Sequence, residues 1–307
     1  MGTSPLIEIT GLTVRYGSFC ALDNLSLEIH GGTIGLLGPN GAGKSTLIRT
    51  LLGYNRAASG TVKVFGYELP KSVIAVRQRI GYMPEREVNS PKISAVNFLN
   101  YLGRLAGMRQ VDAMERSHEA LNYVGLGEAR YRKMETYSTG MLQRVKLAQA
   151  IIHDPKLLLL DEPTNGLDPR GRLEILDLIR EIAAERKVSL LLSSHLLPDV
   201  QHVCDRVIVL HQSKMVDDMD MAALTAPRSG YYELRVRDDH DGYAAALEEQ
   251  GVSCSHHRED LIHVRLEETQ SPRLLFELAV ARQTQVRHLE PLRGDLAEAF
   301  MKSISGS

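Results

Sequence analysis

The chain has 307 residues, 43% of them hydrophobic and 24% charged, with a formal net charge of −2. That length suggests two domains at roughly 150 residues each, and the balance excludes a disordered, collagen-like or disulfide-scaffold chain. No run approaches ~18 consecutive apolar residues, so no transmembrane helix is readable, and the small net charge gives no global pull toward nucleic acid or anionic lipid.

Residues 1–10 have neither a basic start nor a long apolar run, so no secretory leader is expected. Leu6–Ile9, Leu12–Val14 and Leu25–Ile29 partly alternate apolar with polar, as half-buried antiparallel strands do. Thr33–Leu37 is a short apolar run ending in a Gly-rich turn, and Thr61–Phe65 and Ile80–Met83 are further strand candidates. From about Pro91 to Ile152 helical periodicity takes over, with Val96, Leu99, Leu102 and Leu105, three apart, expected on one face. The four leucines Leu157–Leu160 predict a strand buried on both faces, as do Val188–Leu192 and Val207–Leu210, with an amphipathic helix at about 170–185. Strands alternating with helices predict a mostly parallel α/β sheet.

Residues 213–230 read as a linker with a small helix. Beyond it, strands at Tyr231–Val236, Val252–Ser255, Leu261–Leu266 and Gln285–Leu289 alternate with helices at Gly242–Glu249 and Pro272–Arg282. A turn is expected at His257–Asp260, and a closing helix at Asp295–Lys302. The order βαββαβ is the ferredoxin-like split βαβ pattern of a small α+β unit. Cys20, Cys204 and Cys254 are far apart and form no CxxC pair, so they read as ordinary reduced thiols.

Gly38-Pro39-Asn40-Gly41-Ala42-Gly43-Lys44-Ser45-Thr46 matches GxxxxGK[ST], and it lies between a predicted strand and a predicted helix. Glycines let successive backbone N–H groups curl around a phosphate chain, and the helix N-terminus adds positive potential. Lys44 is expected to reach the β- and γ-phosphates, and the Ser45 hydroxyl to hold Mg²⁺. The leucine strand delivers Asp161 and Glu162 at its C-terminal end, where open α/β sheets bind ligands. Asp161 suits Mg²⁺, and Glu162 suits polarising the attacking water.

With these motifs in this order, residues 6–217 resemble the ATP-binding subunits of ATP-binding-cassette (ABC) transporters. Tyr137-Ser138-Thr139-Gly140-Met141 stands where the family has its LSGGQ signature, with Thr139 in place of the first glycine and Met141 in place of glutamine. The resemblance implies a nucleotide contact from Ser138 and Gly140, a D-loop at Asn165–Asp168, a switch histidine at His195 and adenine stacking on Tyr16. It also implies that Glu85 stands at the Q-loop position, where the family has glutamine. A carboxylate there can approach Mg²⁺ but cannot donate as an amide does. Both departures are similar to export-type ATPases whose membrane subunits are separate ABC-2-like chains.

The resemblance thus implies a P-loop NTPase core with an antiparallel β subdomain. Its boundaries are an ABC ATPase domain at 1–217 with a helical subdomain at about 86–153, a linker at 218–230 and a C-terminal accessory domain at 231–307. The implied cofactors are ATP and Mg²⁺. The implied partners are a second ATPase chain, as a homodimer or a heterodimer with a related subunit, and an integral membrane permease docked in a groove at about residues 85–105. No nucleic acid is implied. Location would be peripheral, on the cytoplasmic face of the plasma (inner) membrane. Alternatives are an importer ATPase or a soluble regulatory ATPase.

Overall fold

The structure, a computed structural model, describes residues 4–86, 92–258, 261–267 and 270–305. Pro91, where helical periodicity was expected to begin, lies outside them, as do Glu259 and Asp260 of the expected turn. The chain divides into two compact units. One holds residues up to Met221 together with those from Phe300 onward, and the other holds Ala222–Ala299.

The first unit opens with β1 (Ile7–Tyr16) and β2 (Phe19–Ile29). Then come β3 (Thr33–Leu37), α1 (Lys44–Leu51), β4 (Ser59–Val64), β5 (Tyr67–Leu69), α2 (Val73–Arg77) and β6 (Ile80–Met83). Three helices follow, α3 (Ala95–Leu105), α4 (Gln110–Tyr123) and α5 (Thr139–Ile151). The chain continues through β7 (Leu157–Asp161), α6 (Pro169–Arg186), β8 (Ser189–Ser194) and α7 (Leu197–Val203). It then forms β9 (Arg206–His211) and β10 (Lys214–Asp220), and α8 (Met221–Thr225) lies, beyond Met221, in the second unit.

β1, β2, β4 and β5 form an antiparallel sheet in the order β2-β1-β4-β5. Its inward residues, among them Ile7, Ile9, Leu12 and Val14, join one core with Leu157 and Leu159 of the second sheet. That second sheet has the order β10-β9-β3-β8-β7-β6, parallel except where β10 turns back on β9. Every residue of β7 is buried, as a strand covered on both faces requires. β10, whose sequence KMVDDMD has little strand propensity, read as linker. Its pairing with β9 across a turn at Gln212 and Ser213, both left-handed, holds it extended.

In α3 the buried face carries Val96 and Leu99, but Leu105 is 66% exposed. The reason is geometric. At ~100° per residue, nine residues turn the helix through about 180° relative to Val96, so a strict three-residue spacing walks off the buried face.

The second unit contains β11 (Pro227–Val236), α9 (His240–Glu249), β12 (Ser253–Arg258), β13 (Leu261–Arg265), α10 (Arg273–Ala281) and β14 (Val286–Arg293). α11 (Leu296–Ser305) ends the described chain. The strands form an antiparallel sheet in the order β12-β13-β11-β14. Leu234, Tyr243, Leu247, Ile262 and Leu275 form its core. Residues 218–230 comprise the end of β10, α8 and the start of β11.

Candidate active site

Three adjacent parallel strands build the site. β8 lies between β3 and β7, so the loops after β3, β7 and β8 emerge side by side at one edge of the sheet. The phosphate-loop sequence follows β3, Asp161 ends β7 with Glu162 next after it, and His195 follows β8. Residues far apart in the chain therefore meet at the C-terminal ends of strands, as in other open α/β sheets.

In the loop, Lys44 Nζ donates to the carbonyls of Gly38 at 2.7 Å and Pro39 at 3.2 Å and lies 3.5 Å from Glu162 Oε1. Ala42 is buried, whereas Asn40, Gly41, Gly43, Lys44, Ser45 and Thr46 line a cavity of about 290 Å³. Phe19, Glu85 and Glu162 close its other sides. Gly43 has φ 107° at the start of α1, and a Cβ there would lie 2.6 Å from the Ala21 carbonyl. Gly43→Ala is therefore expected to cost about 2–4 kcal/mol through strain and overpacking. Urea unfolding measures this, and an unchanged midpoint would contradict the stated geometry.

Ser45 Oγ donates to Asp161 Oδ1 at 3.0 Å, and Ser193 Oγ donates to the same oxygen at 2.6 Å. Hydroxyl and carboxylate oxygens suit a hard cation, and a cation shared with substrate phosphates needs only one or two protein carboxylates. Glu85 opens onto the same cavity. Burial first, and the nearby Asp161 charge second, push the Tyr82 hydroxyl up to about 12.

Glu162 sits in the left-handed region at φ 48°, costly for a side-chain-bearing residue. Its N–H donates to the Ser193 carbonyl at 3.1 Å, and its own carbonyl accepts from Asn165 N–H at 3.1 Å. Its Oε2 lies 2.8 Å from His195 Nδ1. Behind this pair, the fully buried Asp199 accepts from Thr164 Oγ1 and, at 3.5 Å, from Ser194 Oγ. Arg172 lies 3.8 Å from it. Thr164 follows Glu162 by two residues and Ser194 precedes His195 by one, so a single carboxylate ties together the two loops that carry the pair. Sequence reading missed Asp199. An Asp inside the short helix α7 shows its burial only in three dimensions.

The remaining expected residues lie elsewhere. Tyr16 ends β1 at 46% exposure, directly opposite Phe19 in the strand register. It is Phe19, absent from the sequence reading, that borders the phosphate-loop cavity. Ser138 caps α5, its Oγ accepting from Met141 N–H at 3.3 Å. Gly140 follows it in the same first turn. Asp168 caps α6, accepting from Gly171 N–H at 3.0 Å. Two residues past Met141, Gln143 Nε2 donates to the Asn165 carbonyl at 2.8 Å, tying α5 to the loop at Asn165–Asp168.

A second cavity, of about 520 Å³, opens between α2 and the end of α3. Ile74 and Leu105, respectively 75% and 66% exposed, are apolar side chains on its wall, beside Met108 and His153. Of the expected groove at 85–105, Leu105 belongs to it, whereas residues 87–91 lie outside the described residues.

The family model described as "ABC transporter" matches residues 22–165. The bacitracin transport ATP-binding protein BcrA of Bacillus licheniformis is 33% identical over 99% of this chain and 98% of its own length. The daunorubicin/doxorubicin resistance ATP-binding protein DrrA of Streptomyces peucetius is 36% identical over 83% of this chain and 77% of its own length. Among solved structures, an ATP-binding subunit of an ABC transporter is 26% identical, with TM-score 0.63, over 71% of this chain and 91% of its own. CbiO1 from Clostridium perfringens is 25% identical, with TM-score 0.64, over 71% of this chain and 90% of its own. With a phosphate loop, a buried aspartate–glutamate pair and a facing histidine at one sheet edge, the chain belongs to the ATP-binding proteins of the ABC transporter family and hydrolyses ATP to power transport.

Proposed function

We propose that the chain drives export of a substrate through a separate membrane permease. The observation that carries this is the near end-to-end match to a protein named for bacitracin transport, with a second relative named for drug resistance. Among the described residues no helix is long and apolar enough to cross a membrane, so the reading assigns the pathway to another chain.

In this reading two ATPase chains close face to face, each phosphate loop opposite the other's Ser138 and Gly140. Lys44 turns from the Gly38 and Pro39 carbonyls to the phosphates. Ser45, Asp161 and Glu85 would hold Mg²⁺, which would supply charge neutralisation at the phosphates. Glu162 takes the proton from water attacking the γ-phosphorus as the bond to the leaving ADP oxygen breaks. His195 orients Glu162 through their 2.8 Å contact, and Asp168 and its D-loop neighbours border the second chain. Tyr16 supports the adenine. The oxygen-only donor set around Ser45 and Asp161 supports the metal assignment.

The proposed permease, at the cytoplasmic face of the plasma membrane, inserts a helix in the Ile74–Leu105 groove. Exposed apolar side chains in a concave wall favour an amphipathic helix. Leu105→Glu is expected to leave turnover of the purified subunit within twofold and to abolish its recovery with membranes. Recovery undiminished in that variant would remove the groove from the docking site.

A further inference from the structure

We infer that Lys146 is a positioning residue for ATP hydrolysis, holding the Glu85 loop against the nucleotide cavity from the helix that begins at Ser138. Lys146 lies on α5 and is 2% exposed. Its ammonium donates to the carbonyls of Pro84 at 2.9 Å and Glu85 at 3.0 Å. Glu85 in turn lines the cavity that holds Lys44, Ser45 and Glu162. A buried ammonium is a costly group to place in a helix–sheet interface, where an apolar residue of similar length packs more easily. Here two of its hydrogen bonds go to successive carbonyls at the turn where the chain leaves β6 and becomes the cavity wall. Those carbonyls lie past the end of the β6–β7 pairing, which finishes at Met83 and Leu160, so the ladder between those strands does not fix them.

One turn earlier on the same helix, Gln143 performs the matching task for the other loop, donating to the Asn165 carbonyl three residues past Glu162. α5 therefore carries, in order, the capping Ser138, a grip on the loop after Glu162 and a grip on the loop at Glu85. A shift of α5 moves both loops together, and Lys146 is the member that acts on Glu85. A displacement of about 1 Å at a reacting group is enough to cost up to ~100-fold in rate.

The inference needs only ATP turnover by the subunit and is independent of the export reading, because every measurement uses the purified full chain without membranes. The variants are Lys146→Met, Glu85→Gln and the double. Lys146→Met keeps length and loses the donors. It is expected to lower kcat by about tenfold or more while raising KM for ATP less than threefold, since the phosphate loop is untouched. It should also raise the Mg²⁺ concentration needed for half-maximal binding of a fluorescent ATP analogue. In the Glu85→Gln background the same change should add less than twofold, because both act through one loop. Should Lys146→Met fail to fold, Lys146→Gln, which keeps an N–H donor, is read in the same cycle. Wild-type kcat and Mg²⁺ response in the lysine variant, with only the unfolding temperature lowered, overturns the inference. So does a loss that multiplies undiminished on Glu85→Gln.

Discussion

Glu162→Gln is expected to lower kcat by about 10³-fold and to bind ATP several-fold more tightly than the parent. The rate follows from the proton. An amide accepts no proton from attacking water, and a positioned base contributes roughly 10²–10⁴-fold. The affinity follows from the 3.5 Å contact between Lys44 and Glu162. A triphosphate drawn to Lys44 also approaches a buried carboxylate, and the amide removes that like-charge repulsion. Glutamine has the same length, and the backbone bonds to Ser193 and Asn165 that hold Glu162 at φ 48° do not involve the side chain. Phosphate release gives kcat, equilibrium dialysis gives affinity, and light scattering with ATP should show the two-chain form accumulating. Turnover within tenfold of the parent would remove Glu162 from the base position.

Lys44→Ala should have the opposite effect on affinity, lowering it by about 100-fold or more, roughly 2.8 kcal/mol at tenfold per 1.4 kcal/mol. A second consequence distinguishes it from a simple loss of contact. The Glu162 side chain is 8% exposed and the Lys44 side chain 5%, so removing the ammonium leaves a buried carboxylate with His195 as its remaining close basic neighbour. That arrangement should cost about 1–3 kcal/mol of folding stability. Thermal unfolding without nucleotide should therefore fall for Lys44→Ala and hold for Glu162→Gln. Midpoints of both variants equal to that of the parent would show that the pair contributes nothing to the fold.

Much of the core was legible because its signals are local. Leu157–Leu160 reads as a strand covered on both faces, and the fold buries all four. Gly38, Gly41 and Gly43 announce a loop between strand and helix, and that is where they lie, with Lys44 opening the helix. What escaped sequence reading depends on neighbours distant in the chain. β10 is extended because β9 pairs with it, against its own composition. Leu105 faces outward because helical phase accumulates over three steps, and this parts it from Val96 and Leu99 and sets it in a groove wall. Lys146 and Asp199 are charged residues within helices, a pattern that ordinarily marks solvent. Only their partners, 61 and 35 residues away at Glu85 and Thr164, reveal that they are inside. Phe19 needed the register of β1 on β2 to place it at the cavity.

The caps at Ser138 and Asp168 have one more implication. Each presents an oxygen to the N–H three residues ahead, at 3.3 and 3.0 Å, which is also how a helix start receives a phosphate oxygen. The chain thus carries its own surrogate for the anion at both turns. A nucleotide arriving from a second chain at such a turn exchanges one acceptor for another, so each such contact contributes a difference between two hydrogen bonds. For the proposed two-chain form, weak self-association without nucleotide and rapid parting after hydrolysis would both be expected from that exchange. They require a threshold set by several small swaps acting at once, with no single strong latch.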